Sequence, residues 1–242
     1  MLKETGMQPL QSFISILEKR RGYYSFFSQS YLEEPSLVFL QELEAQLHIM
    51  KENPLSELGV ALLDDYFSEW RARSKAKHNE LAKEFAYLFL APGEHRVQPY
   101  ESVYRCPSRL LKGQPYDEVV QELREMGLGI KKECRELEDH IALEMEFMEV
   151  LCRETIQACE EGDKTRVGFL LDKQQTFLRK HLLKWVPQFC KRLCEEAKSS
   201  FFKGIALVTE AFVLGEREQI RFLQNQYEVL LSCMPQVTRV SG

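Results

Sequence analysis

The segment LEDHIALEMEFMEVLC, residues 137–152, decides the fold, because it is a long apolar helix that carries Asp139, His140 and Glu144 near its start. At about 100° per residue it has two adjoining faces, one with His140, Glu144, Phe147 and Leu151, the other with Ile141, Met145, Met148 and Cys152. A helix that is apolar on two sides is mostly buried. His140 and Glu144 therefore lie one turn apart among large apolar side chains, where an unpaired charge is costly. We expect a partner or a ligand to satisfy them.

The composition is that of a globular protein. The 242 residues suit one large domain or two small ones, and 44% hydrophobic residues are enough to build a core. The formal charge of −5 comes from mixed charges without a basic stripe, which argues against a nucleic-acid partner. No segment approaches the roughly 18 uninterrupted apolar residues of a membrane span, and the N-terminus lacks a secretory apolar core. We expect a cytoplasmic protein, and its seven scattered cysteines favour reduced thiols.

Nearly every segment has helical period, and no run alternates as a half-buried strand does. The sequence therefore predicts an all-α protein, a single domain over residues 1–242. Three helix starts are indicated: Asn53 before Pro54, Asn79, and Asp163 after Gly162. The predicted helices span residues 8–30, 35–51, 54–73, 79–90, 115–127, 138–161, 163–181, 182–197, 199–213 and 216–232.

A long loop, residues 91–115, interrupts this pattern with four prolines and two glycines. Connections longer than about 12 residues are uncommon in compact domains and tend to be functional or disordered. Tyr100, Val103 and Tyr104 argue against disorder. We therefore predict an ordered, functional loop, while a linker between two helical halves remains the alternative.

Several classes of chemistry are excluded by missing motifs. None of the five histidines has a glutamate three residues before it, so a di-iron bundle site lacks its ligands. There is no HExxH, CxxC or GxxxxGK[ST] motif, which argues against zinc, iron–sulfur and P-loop sites. The Cys190 and Cys194 pair has the spacing of two thiols on one helix face. We predict no metal and no cofactor.

The stretches LAKEFAYLFLAPG, PYESVY, EDHIALEMEFM and FLRKHLLKWVPQF follow one another between residues 79 and 214. Together they resemble the TorD/DmsD/NarJ family of cytoplasmic chaperones for molybdenum-cofactor enzymes, with the TorD and DmsD branch closest. The resemblance implies an all-helical protein that is not an enzyme. It implies binding to the twin-arginine signal peptide of a client oxidoreductase, which is kept competent for cofactor insertion before export. The first 78 residues are assigned only by continuity.

The resemblance also implies where the signal peptide binds. The matching residues are Tyr100, Ser102 and Tyr104 in the loop and Asp139, His140 and Glu144 at the helix start. The family commonly has proline immediately before Asp-His, whereas this chain has Glu138. The added carboxylate puts the local backbone geometry and the client preference in question.

The chemistry of a twin-arginine peptide fits these residue types. Two guanidinium groups call for carboxylates that accept bidentate hydrogen bonds, which Asp139 and Glu144 can supply. Tyr100 and Tyr104 can stack on the cations. Methionines such as Met145 can let an apolar groove adapt to the rest of the peptide.

Each of these residues also has a structural interpretation. Asp139 is favourable near a helix N-terminus, and His140 with Glu144 can form a satisfied intrahelical pair. We interpret His181 and Trp185, which also resemble family positions, as helix packing.

Two other functions stay open at this stage. A helical enzyme or cofactor carrier using Asp139, His140 and Glu144 would need a concave pocket with shifted pKa values. A structural adaptor would satisfy Asp139 and His140 internally, with no ordered loop over them. The family has been linked to guanine nucleotides and to domain-swapped dimers. The sequence has no nucleotide motif, names no client, and leaves monomer or dimer open.

Overall fold

The computed structural model describes residues 4–92 and 96–233, with side chains over residues 9–92 and 96–227. Nine α-helices and one π-helical turn make up this part of the chain, and no strand occurs in it. The prediction of an all-α fold is confirmed. The helices are α1 (Glu4–Leu32), α2 (Leu37–Glu52), α3 (Glu57–Phe85), α4 (Glu101–Arg105), α5 (Gln114–Glu125), α6 (Ile141–Glu161), α7 (Lys164–Lys180), α8 (Leu182–Glu196) and α9 (Ser200–Cys233), with the π-helical turn at Ala86–Leu90 after α3.

Two predicted breaks between helices have different outcomes. The predicted helix end at residue 73 coincides with a kink in α3, where the exposed Arg73 has non-helical dihedral angles (φ −143°, ψ 38°), but the helix resumes before Asn79, so the predicted start at Asn79 was wrong. The predicted helices 199–213 and 216–232 are one helix, α9, which passes through Gly215. Phe212 and Glu216, one turn apart around that glycine, are both buried, so the core holds the helix together there.

The helix caps follow the sequence in part. Asp163 caps α7 as predicted, since its side chain accepts a hydrogen bond from the Arg166 backbone N–H at 3.0 Å. Gly162 ends α6 with φ +71°, a conformation that glycine adopts without strain. The start of α3 was predicted wrongly at Asn53, because Ser56 is the residue that caps it.

Helix α9 lies at the centre of the fold and packs against α1, α3, α7 and α8, while α1 packs along α6. The crossing of α3 and α9 is close enough to require glycine on both helices. A Cβ atom on Gly204 would lie 2.9 Å from the Gly59 carbonyl oxygen, and one on Gly59 would lie 2.8 Å from Val208. This close contact fixes α3, and with it the loop that follows α3, against the core.

The predicted loop is ordered in its described residues and contains the short helix α4. Its first turn is tied back to the end of the α3 run, because the Val97 N–H donates to the Leu88 carbonyl at 2.7 Å. Residues 93–95 of the predicted loop lie outside the described part of the chain. No helix in the described chain is long and apolar enough to cross a membrane.

Candidate functional site: a buried carboxyl cluster under an acidic edge

The loop and the start of α6 are joined by backbone pairing. The Glu101 N–H donates to the Asp139 carbonyl at 2.9 Å, and the Ile141 N–H donates to the Pro99 carbonyl at 2.8 Å. Tyr100 and His140 face each other across this antiparallel bridge, with ring centroids 5.1 Å apart. The two predicted motifs, distant in sequence, therefore form one structural unit.

Asp139 links the two motifs through its side chain as well. Its Oδ2 accepts a hydrogen bond from the Ser102 backbone N–H at 2.9 Å, while Oδ1 finds no partner within the described chain. Asp139 and Ser102 have no exposed surface. Burial raises the pKa of Asp139, and hydrogen bonding by the Ser102 side chain and backbone opposes that shift.

Glu101, which was not among the predicted site residues, lies at the centre of the cluster. It is fully buried, and its two oxygens have different partners. Oε1 accepts from Arg105 at 2.5 Å, and Oε2 contacts His181 Nδ1 at 2.8 Å. We call Glu101, Asp139 and Glu144 the buried carboxyl cluster.

Glu144 is held by Trp185 of α8, and its pKa is raised. Trp185 Nε1 donates to Glu144 Oε2 at 3.0 Å, so the predicted partner for Glu144 comes from another helix and not from His140. Burial, and then the charge of Glu101, raise the pKa of Glu144 well above its ordinary range.

His140 caps α6 and does not bridge the carboxyl groups. Its Nδ1 accepts a hydrogen bond from the Ala142 backbone N–H at 3.1 Å, which puts the proton on Nε2. The ring is buried, and burial lowers its pKa from the ordinary 6.5 to about 3. His140 is therefore neutral at physiological pH.

This neutral cap predicts a pH dependence of stability. Unfolded His140 takes up a proton below pH 6.5, but the folded ring does so only near pH 3, so the free energy of unfolding falls as the pH drops between these values. We expect His140→Asn, whose amide cannot titrate, to flatten this fall by up to ~1.4 kcal/mol per pH unit. Urea unfolding from pH 7 to pH 4 measures the slope.

The matched control for that experiment is His48→Asn, because His48 is exposed. It should leave the slope unchanged. Glu144 has the opposite pH dependence: because its pKa is raised in the folded protein, it lowers the free energy of unfolding as the pH rises above about 4.5. The variant and the parent must therefore be compared at each pH. Equal slopes in parent and His140→Asn would show that the ring is not held neutral.

The accessible side of the site is acidic and aromatic. The Tyr100 hydroxyl donates to Glu136, whose side chain is 28% exposed. Burial, and then a hydrogen bond with Glu138, raise the pKa of Tyr116. We call Tyr100, Tyr116, Glu136 and Glu138 the acidic edge. A cation already lies on it, since Lys112 Nζ is 6.0 Å from the centroid of the Tyr116 ring.

Tyr104 lies apart from the acidic edge. Its ring packs on Trp185 at 5.5 Å and on Phe189 at 6.2 Å, and burial raises the pKa of its hydroxyl. Its partly exposed side lines a cleft that also contains Arg96, Arg109 and Arg192. These arginines oppose the approach of another cation to Tyr104.

The structure thus brings all six predicted residues to one region but gives them different positions. Tyr100, Ser102, Asp139, His140 and Glu144 are buried, although the Tyr100 hydroxyl reaches Glu136 at the acidic edge, and Tyr104 lies in the arginine cleft. Sequence reasoning missed Glu101 and Glu136, and took His181 and Trp185 for packing alone. One signal was present, because Glu101 and Arg105 have the i, i+4 spacing of a helical ion pair inside the loop.

The described chain contains no group of three side chains suited to hold a metal ion. The unpartnered atoms of the cluster and of its neighbour His181, which include Asp139 Oδ1 and His181 Nε2, have no exposed surface. The enzyme alternative predicts an open pocket that reaches these atoms, and the described residues form none. The ordered loop over Asp139, and the unsatisfied Oδ1, also differ from what the adaptor alternative predicts.

Comparison with known proteins shows the family of this chain. The family model described as nitrate reductase delta subunit matches residues 51–191, more than half of the chain and all of the site. The chain belongs to the nitrate reductase delta subunit family. Among its relatives in this family are proteins named chaperone protein TorD from Vibrio parahaemolyticus and Vibrio vulnificus. Each is 27% identical, over 85% and 88% of this chain and 95% and 99% of the relative.

The TorD protein of Photobacterium profundum is 34% identical over 57% of this chain and 65% of its own length. The predicted resemblance to the TorD/DmsD/NarJ family is confirmed. Because the nitrate reductase delta subunit family is not catalytic, this member is not an enzyme, as predicted.

Proposed function

We propose that the protein is a cytoplasmic chaperone for the catalytic subunit of a molybdopterin oxidoreductase. It binds the client's twin-arginine signal peptide and apo form, assists cofactor insertion and delays export until insertion is complete. Family membership and the names of the relatives support the chaperone role. The acidic edge is the observation that carries the signal-peptide role.

The acidic edge has the chemistry that a pair of arginines needs. Glu136 and Glu138 accept hydrogen bonds, and the partly exposed ring of Tyr116 offers a face for cation–π contact. Lys112 shows that a cation of the chain itself is accommodated there. Glu138, which stands where the family commonly has proline, adds a carboxylate to this surface and would strengthen the preference for a basic peptide.

The six predicted residues enter this proposal in two ways. Tyr100 contacts the peptide directly, while Ser102, Asp139, His140 and Glu144 hold the loop against α6 so that the edge keeps its shape. Direct contact of a peptide arginine with Asp139 requires residues 97–106 to move, because Asp139 has no exposed surface. Tyr104 acts through its contact with Trp185.

No covalent chemistry is needed for such a chaperone. The apo client and the mature client differ in how much of the chaperone-binding surface they present, so differential affinity alone decides between holding and release. An exposed edge with charge-assisted contacts suits moderate affinity and rapid exchange.

Calorimetric titration with a twin-arginine signal peptide and its twin-lysine counterpart tests the proposal. We expect the lysine peptide to bind about tenfold or more weakly, because lysine lacks the planar fork that pairs with a carboxylate. The double variant Glu136→Gln, Glu138→Gln should weaken binding of the twin-arginine peptide by a similar factor. The exposed Glu218→Gln is the matched control. Equal binding of both peptides, or no effect of the double variant, contradicts the proposal.

A further inference from the structure

A basic cleft of about 610 Å³ lies beside Tyr104. It is unusual in a chain whose formal charge is −5. No aspartate or glutamate occurs among its described lining residues. Those residues are Arg96, Gln98, Val103, Tyr104, Arg109, Gln188 and Arg192.

The three arginines come from different parts of the fold. Arg96 lies in the loop before α4, Arg109 follows α4, and Arg192 lies on α8. Bringing three guanidinium groups to one cleft is unfavourable in itself, because like charges repel one another. Glu196 offsets part of this repulsion at Arg192, and an anionic group in the cleft would offset it further.

Two of the three arginines are positioned by contacts within the chain. Arg96 Nε donates to the Phe89 carbonyl at 3.0 Å, which fixes the plane of its guanidinium. Arg192 Nη2 pairs with Glu196 at 3.0 Å, and its side chain is 40% exposed. Arg109 is exposed and has φ +52°, a left-handed conformation that costs a non-glycine residue free energy.

We propose that this basic cleft binds an acidic polypeptide segment, in which two or more carboxylates pair with Arg96, Arg109 and Arg192. Arginine binds carboxylates through two parallel hydrogen bonds, and the amides of Gln98 and Gln188 add neutral donors. A cleft whose arginines are this exposed cannot enclose a small anion as small-molecule sites do, but it suits a segment on a protein surface. The Tyr104 ring and Val103 supply an apolar wall.

The inference rests on the proposed function only in taking the partner to be a polypeptide client. It places a second contact beside the acidic edge, with the opposite charge preference. A client would then be recognised by its basic signal peptide at one surface and by an acidic segment at the other.

Fluorescence anisotropy with labelled hexaglutamate and hexaglutamine peptides tests the inference on the full chain. We expect hexaglutamate to bind and hexaglutamine not to bind, with affinity that falls as salt rises. The triple variant Arg96→Gln, Arg109→Gln, Arg192→Gln should weaken binding of hexaglutamate by about tenfold or more. The control is Arg153→Gln with Arg221→Gln, two exposed arginines elsewhere. A thermal melt confirms folding, and the single change Arg109→Glu replaces the triple variant if that one unfolds.

Three results would overturn the inference: equal binding of the two peptides, unchanged hexaglutamate binding by the arginine variants, or tripolyphosphate displacing hexaglutamate at a lower concentration than unlabelled hexaglutamate does. The last result would assign the cleft to a phosphorylated ligand. The twin-arginine peptide is titrated in parallel. It should bind the triple variant as it binds the parent, so failure of the signal-peptide proposal and failure of this one are read from different titrations.

Discussion

Glu216→Ala is expected to lower the free energy of unfolding by about 3–5 kcal/mol, because it leaves a buried arginine without its counter-charge. Arg20 and Glu216 are each 3% exposed and form a bidentate pair, with distances of 2.7–3.0 Å. Tyr24 donates to the same carboxylate at 2.6 Å, and Gln174 accepts from Arg20 at 2.6 Å. This network joins α1, α7 and α9. The expected loss is a large share of the ~5–15 kcal/mol by which a typical domain is stable.

Urea unfolding of the parent and Glu216→Ala measures this effect. Glu218→Ala is the matched control, because Glu218 lies on the same helix in an exposed pair with Arg221 and should change stability by less than about 1 kcal/mol. The double variant Arg20→Met, Glu216→Leu should recover most of the loss, since it removes both charges and keeps apolar volume. A loss no larger than that of the control would mean that Arg20 reaches water in the folded protein.

Glu101→Ala is expected to cost about 2–4 kcal/mol and to release the loop from α6 and α8. Glu101 is fully buried and accepts from Arg105 and His181, so its removal leaves buried His181 Nδ1 without its acceptor. The cost is smaller than for Glu216 because Arg105 is 26% exposed and can turn to water or to Glu118. The charge of Glu101 also helps to keep Glu144 protonated, so the pKa of Glu144 should fall in the variant.

Denaturant unfolding with hydrogen exchange at residues 97–106 checks this prediction. Glu118→Ala is the matched control, since Glu118 contacts the same arginine at 3.4 Å from a more exposed position. If the cluster supports the acidic edge, Glu101→Ala also weakens binding of the twin-arginine peptide, although Glu101 itself does not contact the peptide. Loop exchange as slow as in the parent would mean that the backbone bridge alone holds the loop.

The acidic edge and the basic cleft lie at the two ends of the same short segment. Tyr100 precedes α4 and Tyr104 lies within it, and Glu101 between them anchors the segment in the core. A ligand at either surface therefore acts on a segment that the buried carboxyl cluster holds in place. If both proposals hold, this one element contacts two parts of a client.

Local patterns alone were sufficient for much of this protein. The helical period of residues 137–152 specifies a buried helix, and Asp163 after Gly162 specifies a turn and a cap, because both depend on contacts within a few residues. The same reasoning showed that Glu144 needs a partner. The aromatic residues of the loop predicted that it is ordered, and its tyrosines with Asp139 and His140 indicated the family.

The tertiary structure alone decided which residues meet. Glu101 contacts His181 across 80 positions, and Arg20 contacts Glu216 across 196, distances at which no periodicity relates two side chains. Gly215 is helical only because Phe212 and Glu216 are buried on either side of it. Helix packing likewise buried five of the six predicted site residues beneath the acidic edge, and brought three arginines together beside Tyr104. Solvent access and charge proximity depend on how helices pack, and the order of residues does not reveal them.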